Sequence, residues 1–209
     1  MELLAGWRCY YGVPRLIEST LYFEEYDEER NTVELLRFVR EYAEKHRVRR
    51  VVVASTRGFV AKKALETLGP PEFDLVVVTH AYWFRRGVEQ EFDPEIREEL
   101  VERGVKIVTG THALAGVPRA TRNKYGGPTC ADLIAGVLRM FCEGVKVCVE
   151  IAAMAVDAGA IPPGEEVISV AGTGRGADTA LLLVPYPSHE FFSIRIRKVL
   201  AKPLYYPKR

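Results

Sequence analysis

The sequence predicts an α/β layer fold built on a mainly parallel sheet. Helical patterns alternate with short apolar runs such as Arg50–Ala54 and Asp74–Thr79, as successive strand–helix–strand units require. The 209 residues show no internal repeat, no low-complexity segment and no linker rich in Gly, Ser or Pro, so one domain accommodates them.

In chain order, Asn31 with Glu34 three residues on predicts a helix cap, and Val33, Leu36, Val39 and Tyr42 or Ala43 carry that helix to about His46. A buried strand, 50–54, follows. Ser55, Thr56, Arg57 and Gly58 form the turn into a helix from Phe59 to Leu68, which Gly69-Pro70-Pro71 closes. After the strand 74–79, Asp93-Pro94 opens a helix that Gly104 ends, ahead of a strand at 106–108. Residues 109–127 have no clear period and read as a long polar loop.

Thr129 and Asp132 form a capping-box pair before Leu133, Ile134, Val137, Leu138 and Phe141, a helix expected to end near Glu143-Gly144. A second helix, 145–158, is apolar nearly all round, with Lys146, Glu150 and Asp157 on one stripe. Strands at 166–171 and 179–184 are joined by a short glycine loop, which makes the second antiparallel. Residues 191–198 fit a strand or a helix equally.

Composition narrows the function classes. With 29 Lys+Arg against 28 Asp+Glu the net charge is +1, unlike the strongly basic face of a dedicated nucleic-acid binder. No apolar run reaches the ~20 residues of a membrane span, and residues 1–19 lack a signal-peptide core, so a cytoplasmic location is expected. Cys9, Cys130, Cys142 and Cys148 make no C-x-x-C pair; no metal site is expected, and Cys130, Cys142 and Cys148 read as core thiols. One glutamine and two asparagines beside abundant charge suggest a thermophilic source.

Ligands of open α/β sheets bind beyond the carboxyl ends of the strands, where strand order reverses. The 55–59 turn offers two hydroxyls, the Arg57 guanidinium and backbone amides at a helix start, which suits one phosphate; no Walker pattern is present. Gly172, Thr173, Gly174, Arg175, Gly176, Ala177 and Asp178 form the second candidate. Their glycines run G-x-G-x-G between two strands, so this is no dinucleotide fingerprint. It reads as a ligand-cradling hairpin, or as a tight turn that Asp178 orders for itself. Thr79 ends a predicted strand, and His80 and His112 fall just past predicted strands, where the imidazoles can serve as acid, base or donor. Tyr82, Trp83 and Phe84 can stack on a planar ring or plug the sheet edge. Glu150 and Asp157 need partners or a role on so apolar a helix.

The segment from Lys146 through Glu150 and Asp157 to Ile161, with the 172–180 stretch, resembles an archaeal family related to the pyruvate kinase C-terminal domain. The likeness continues through Val51 to Gly58, His112 and Lys124 to Gly127, covering about 19–203; residues 1–18 form an extension and 19–209 the domain. What the resemblance implies is a three-layer α/β/α fold, pyruvate kinase C-terminal-domain-like, with a mixed sheet in the order 3-2-1-4-5 and the last strand antiparallel. It also implies bound flavin mononucleotide (FMN), with the 55–59 turn on the phosphate, and no particular reaction. A small-molecule ligand and a homo-oligomer are the expected partners. The alternatives are a regulatory module that senses a phosphorylated metabolite without chemistry, and a phosphosugar-processing enzyme using His80, His112 or Glu150.

Overall fold

The computed structural model describes residues 19–205; the extension expected at 1–18 lies outside the described residues. Strands β1 (Leu21–Phe23), β2 (Arg50–Ala54), β3 (Asp74–Thr79), β4 (Lys106–Thr109), β5 (Val167–Ala171), β6 (Thr179–Val184) and β7 (Arg195–Pro203) form one sheet in the order β1-β7-β6-β5-β2-β3-β4. Taken alone, β2 to β6 have the expected 3-2-1-4-5 order, with β6 antiparallel to β5. Two strands extend it: β7 pairs antiparallel with β6, and β1 parallel with β7.

Alternation along the central strands builds two cores. On β2, Val51 and Val53 face the first core and Val52 the second; on β3, Leu75 and Val77 oppose Val76 in the same way. Helices α1 (Glu28–His46), α2 (Phe59–Leu68) and α3 (Pro94–Glu102) cover the first face. Helix α6 (Glu143–Asp157) covers the second, giving three layers. Smaller helices α4 (Val117–Tyr125) and α5 (Cys130–Arg139) lead into α6, and a 3-10 turn, Ser188–Ser193, precedes β7.

Several local expectations change. Asp27, not Asn31, caps α1 by accepting from the Arg30 amide, so the helix starts a turn earlier. Asn31 is buried within it, donating to the Glu25 carbonyl. The 109–127 segment is not all loop, because Pro118 in the first turn and Gly126 at the end delimit α4. The Thr129–Asp132 capping box opens α5 as expected, but α5 stops at Arg139 and Cys142 begins α6. Cys142 and Cys148 are buried, and burial pushes both thiols up; Cys130 is exposed and is not a core thiol.

Candidate functional site

Strand order reverses between β2 and β5, so the turns leaving these two parallel strands lie side by side. Between them opens a cavity of about 630 Å³, within the range of small-molecule sites. It brings together Ser55, Thr56, Arg57 and Phe59 from the first turn with Gly172, Gly174, Arg175 and Gly176 from the second, and adds Thr79, His80 and His112 from the ends of β3 and β4. Gly58, Thr173 and Asp178 are not part of its lining.

The first turn is shaped by Ser55, whose Oγ accepts from the amides of Gly58 and Ala61 at 3.2 Å each. Gly58 has φ 109°, and a Cβ there would lie 2.6 Å from Ile96 Cδ1, so this residue serves the turn rather than a ligand. The Ser55 lone pairs and the Gly58 N–H are thus engaged internally. The Ser55 hydroxyl hydrogen, Thr56, Arg57 and the amides of Phe59 and Val60 at the start of α2 are left to meet an anion.

Asp178 organises the second turn. Its buried carboxylate accepts from the Thr173 amide at 3.2 Å, the Thr179 hydroxyl at 2.7 Å and the Tyr205 hydroxyl at 2.8 Å. Desolvation raises the Tyr205 phenol above its ordinary range, and the Asp178 charge adds to it. Of the two readings of Asp178, the geometry fits the self-ordered turn. Gly172 is required by close approach, since its Cβ would lie 2.3 Å from the Gly176 carbonyl oxygen.

At the end of β3, His80 Nδ1 lies 2.8 Å from the Glu91 carboxylate and Nε2 lies 3.4 Å from Thr56 Oγ1. The carboxylate holds a proton on Nδ1, and in the neutral ring Nε2 is then the acceptor towards the Thr56 hydroxyl. Thr79 is a support, sharing a 2.8 Å hydrogen bond with Thr109. Phe84 stacks on His112 at 4.5 Å between centroids, with the Arg119 guanidinium 4.6 Å from its ring. Tyr82 and Trp83 are exposed and outside the lining, so Phe84 alone of that trio meets the cavity.

His112 is driven down to about 4, chiefly by burial; Glu150 opposes this, while His80, Lys146 and Arg119 add to it. It is neutral at pH 7, and its Nε2 is buried without a hydrogen-bond partner among the described residues. Lys146 and Glu150, also in the lining, form a buried ion pair, and Glu150 accepts from the Leu114 amide at 2.9 Å. Asp157 is not buried; it ends α6 exposed and accepts from the Ser188 amide at 2.9 Å.

The cavity also contains residues that sequence reasoning missed. Glu91, Arg85, Arg119, Arg139 and Glu143 line it. Arg119 was hidden in a segment with no clear apolar period, because α4 buries no residue. Arg139 and Glu143 pair at 2.7 Å, and Glu91 meets both His80 and, at 3.6 Å, Arg85. Arg57, Arg119 and Arg175 have no carboxylate partner among the described residues and leave the cavity positively biased.

The fold and cavity together define a three-layer α/β protein with a ligand-sized cleft at its topological switch point. No family model matches the chain. Among solved structures it is similar to two of pyruvate kinase from Cryptosporidium parvum, one in complex with ADP, each at 15% identity. The TM-scores are 0.35 and 0.36, over 72% and 81% of this chain. It spans 22% and 24% of those chains, and a likeness of this degree assigns neither ligand nor activity. No helix among the described residues is long and apolar enough to cross a membrane.

Proposed function

We propose that the chain binds a phosphorylated ligand with a planar ring, of which FMN is the best candidate, in the cavity between the 55–59 and 172–178 turns. The observation that carries this reading is that three guanidiniums without carboxylate partners among the described residues, Arg57, Arg119 and Arg175, line the same cavity as the first residues of α2. An anionic group there gains charge-assisted hydrogen bonds and the positive end of the helix. Phe84 and His112, stacked on one another, form a flat-sided wall of the cavity against which a ring can lie, and neutral His112 adds no competing charge.

Titration of the purified protein with FMN and with riboflavin, followed by flavin absorbance and fluorescence, tests the assignment. FMN is expected to bind tighter than riboflavin by about tenfold to a hundredfold, the worth of one charge-assisted contact. Equal affinities, or binding of neither, would overturn it.

A second reading, a phosphosugar-processing enzyme, is favoured by Glu91, His80 and Thr56 in sequence across 2.8 and 3.4 Å. A base held in this way can take up the carbon-bound proton α to the carbonyl of a sugar phosphate, exchange it with solvent and return it to the substrate. Incubation with aldose and ketose phosphates in heavy water distinguishes it: deuterium uptake that Glu91→Gln abolishes supports the enzyme, and no uptake removes it.

A further inference from the structure

A hydroxyl, an imidazole and a carboxylate stand in line on the cavity wall. Thr56 Oγ1 is 3.4 Å from His80 Nε2, and His80 Nδ1 is 2.8 Å from Glu91 Oε2. All three residues line the cavity, and they come from separate segments, so geometry and roles identify the set where no sequence motif does. The supporting groups are themselves held. Glu91 is 11% exposed and also meets Arg85 at 3.6 Å. Phe84 lies against the His80 ring at 4.3 Å between centroids, and the His80 carbonyl accepts from the Thr79 and Gln90 side chains at 3.1 and 3.2 Å. Thr56 sits on the sharp turn between β2 and α2, the kind of strand-to-helix elbow that presents a nucleophile at the end of a sheet.

We propose that Thr56 is the nucleophile of an acyl-transfer reaction, with His80 as its base, Glu91 as the group that orients the base, and an ester carrying an anionic group as the substrate. A threonine hydroxyl is a weak nucleophile and needs such an adjacent base. Thr56 Oγ1 bonds to the ester carbonyl carbon as its proton passes to His80 Nε2, and the carbonyl electron pair moves onto oxygen. That pair then returns, the bond from carbon to the alcohol oxygen breaks, and His80 gives its proton to the departing alcohol, leaving acyl-Thr56. Water, losing a proton to the same Nε2, attacks the acyl carbon; the carboxylic acid leaves and the Thr56 hydroxyl is restored. No electrons are gained or lost overall. Donors for the transient oxyanion lie on the same turn, in Arg57 and the amides of Phe59 and Val60. Arg119 and Arg175, elsewhere in the lining, select for an anionic substrate.

The placement of the base favours acyl over phosphoryl transfer. At a carbonyl carbon the nucleophile and the leaving group occupy neighbouring corners of one tetrahedral intermediate, so a single imidazole serves both. At phosphorus the two stand in line on opposite sides, and the leaving oxygen departs away from His80. His112, the other imidazole of the cavity, is uncharged at pH 7 and is no acid for that far side.

Para-nitrophenyl succinate, an anionic ester, and para-nitrophenyl acetate, a neutral one, are the probes for the full chain. The parent is expected to release nitrophenolate from both, with kcat/KM at least about tenfold higher for the succinate, the worth of one charge-assisted contact. Acid quenching and peptide mass spectrometry should find the acyl group on Thr56. Thr56→Val should abolish both signals, and His80→Gln should lower kcat/KM by roughly a hundredfold to ten-thousandfold. Thr56→Ser, which keeps a hydroxyl at that position, should still be acylated there, which separates loss of the nucleophile from loss of the fold. Release no faster than in buffer, release that persists in Thr56→Val, equal rates for the two esters, or turnover of para-nitrophenyl phosphate in place of both would overturn the proposal. FMN titration is scored independently: FMN binding without ester turnover removes this proposal alone, and ester turnover without FMN binding removes the flavin assignment alone.

Discussion

His80 Nδ1 and Glu91 Oε2 are 2.8 Å apart, and Glu91 is the more buried of the two. A carboxylate that cannot donate fixes the imidazole as the Nδ1–H tautomer. Long-range proton–nitrogen correlation spectra should therefore report Nδ1–H for His80 in the parent. In Glu91→Ala that preference should be lost and the Nε2–H form should dominate. An unchanged tautomer in the variant would separate Glu91 from the orientation of the ring.

His112 makes stability depend on pH. Its value falls from 6.5 to about 4 on folding, so between those limits the unfolded chain binds more protons than the folded one. Stability is accordingly full above about 6.5, falls as the pH is lowered through the window, and levels off below about 4. The part due to this group amounts to up to about 3 kcal/mol. Comparing unfolding midpoints at pH 7 and pH 4.5 checks it: His112→Gln should lose less than the parent on acidification, and equal losses would exclude His112 as the source.

The buried Lys146–Glu150 pair predicts an asymmetric mutational response. Glu150→Gln leaves an ammonium without its counter-charge, at a cost of about 3–5 kcal/mol. The melting temperature should drop by roughly 6–20 °C. Replacing both residues, Lys146→Met with Glu150→Leu, should recover most of that, save for the acceptor lost to the Leu114 amide. Asp157→Asn, at an exposed helix end, should shift stability within about 0.5 kcal/mol. A double variant no better than Glu150→Gln alone would place the cost elsewhere.

Arg175 sits between Gly174 and Gly176, at φ 93° and 75°, with its carbonyl held by the Tyr26 hydroxyl at 3.2 Å. Its backbone is anchored while its exposed side chain borders the cavity. Arg175→Ala should weaken FMN by about tenfold to a little over a hundredfold, with little change in apo stability. Loss confined to FMN points to the phosphate, and loss shared with riboflavin points to the ring. Affinities within twofold of the parent for both ligands would make Arg175 a solvent-facing turn residue.

Much of the fold was legible because local chemistry and burial agree along the central strands. Gly58 with the closing Gly69-Pro70-Pro71 set the bounds of α2, and the Thr129–Asp132 box marked the start of α5. α4 escaped because it packs on little and so carries no buried period. β1 escaped because three residues against β7 leave no alternation to detect. The adjacency of the 55–59 and 172–178 turns was legible because both follow strands, and topology alone places such turns together. Glu91 and Arg119 reach the cavity from irregular or weakly patterned segments, whose paths no periodicity encodes. The division of labour within the turns was likewise invisible: hydrogen-bond partners decide that Ser55 and Asp178 shape backbone while Arg57 and Arg175 stay available.

The cavity walls come from segments far apart along the chain, joined where Val51 in β2 meets Ile168 in β5. That parallel pairing closes a long stretch of polypeptide before it returns any contact, and such steps are slow. Neither half of the sheet alone can present both turns to a ligand. Occupancy of the cleft therefore reports completion of the β2–β5 seam, and a ligand that fills it acts by mass action on the finished molecule alone.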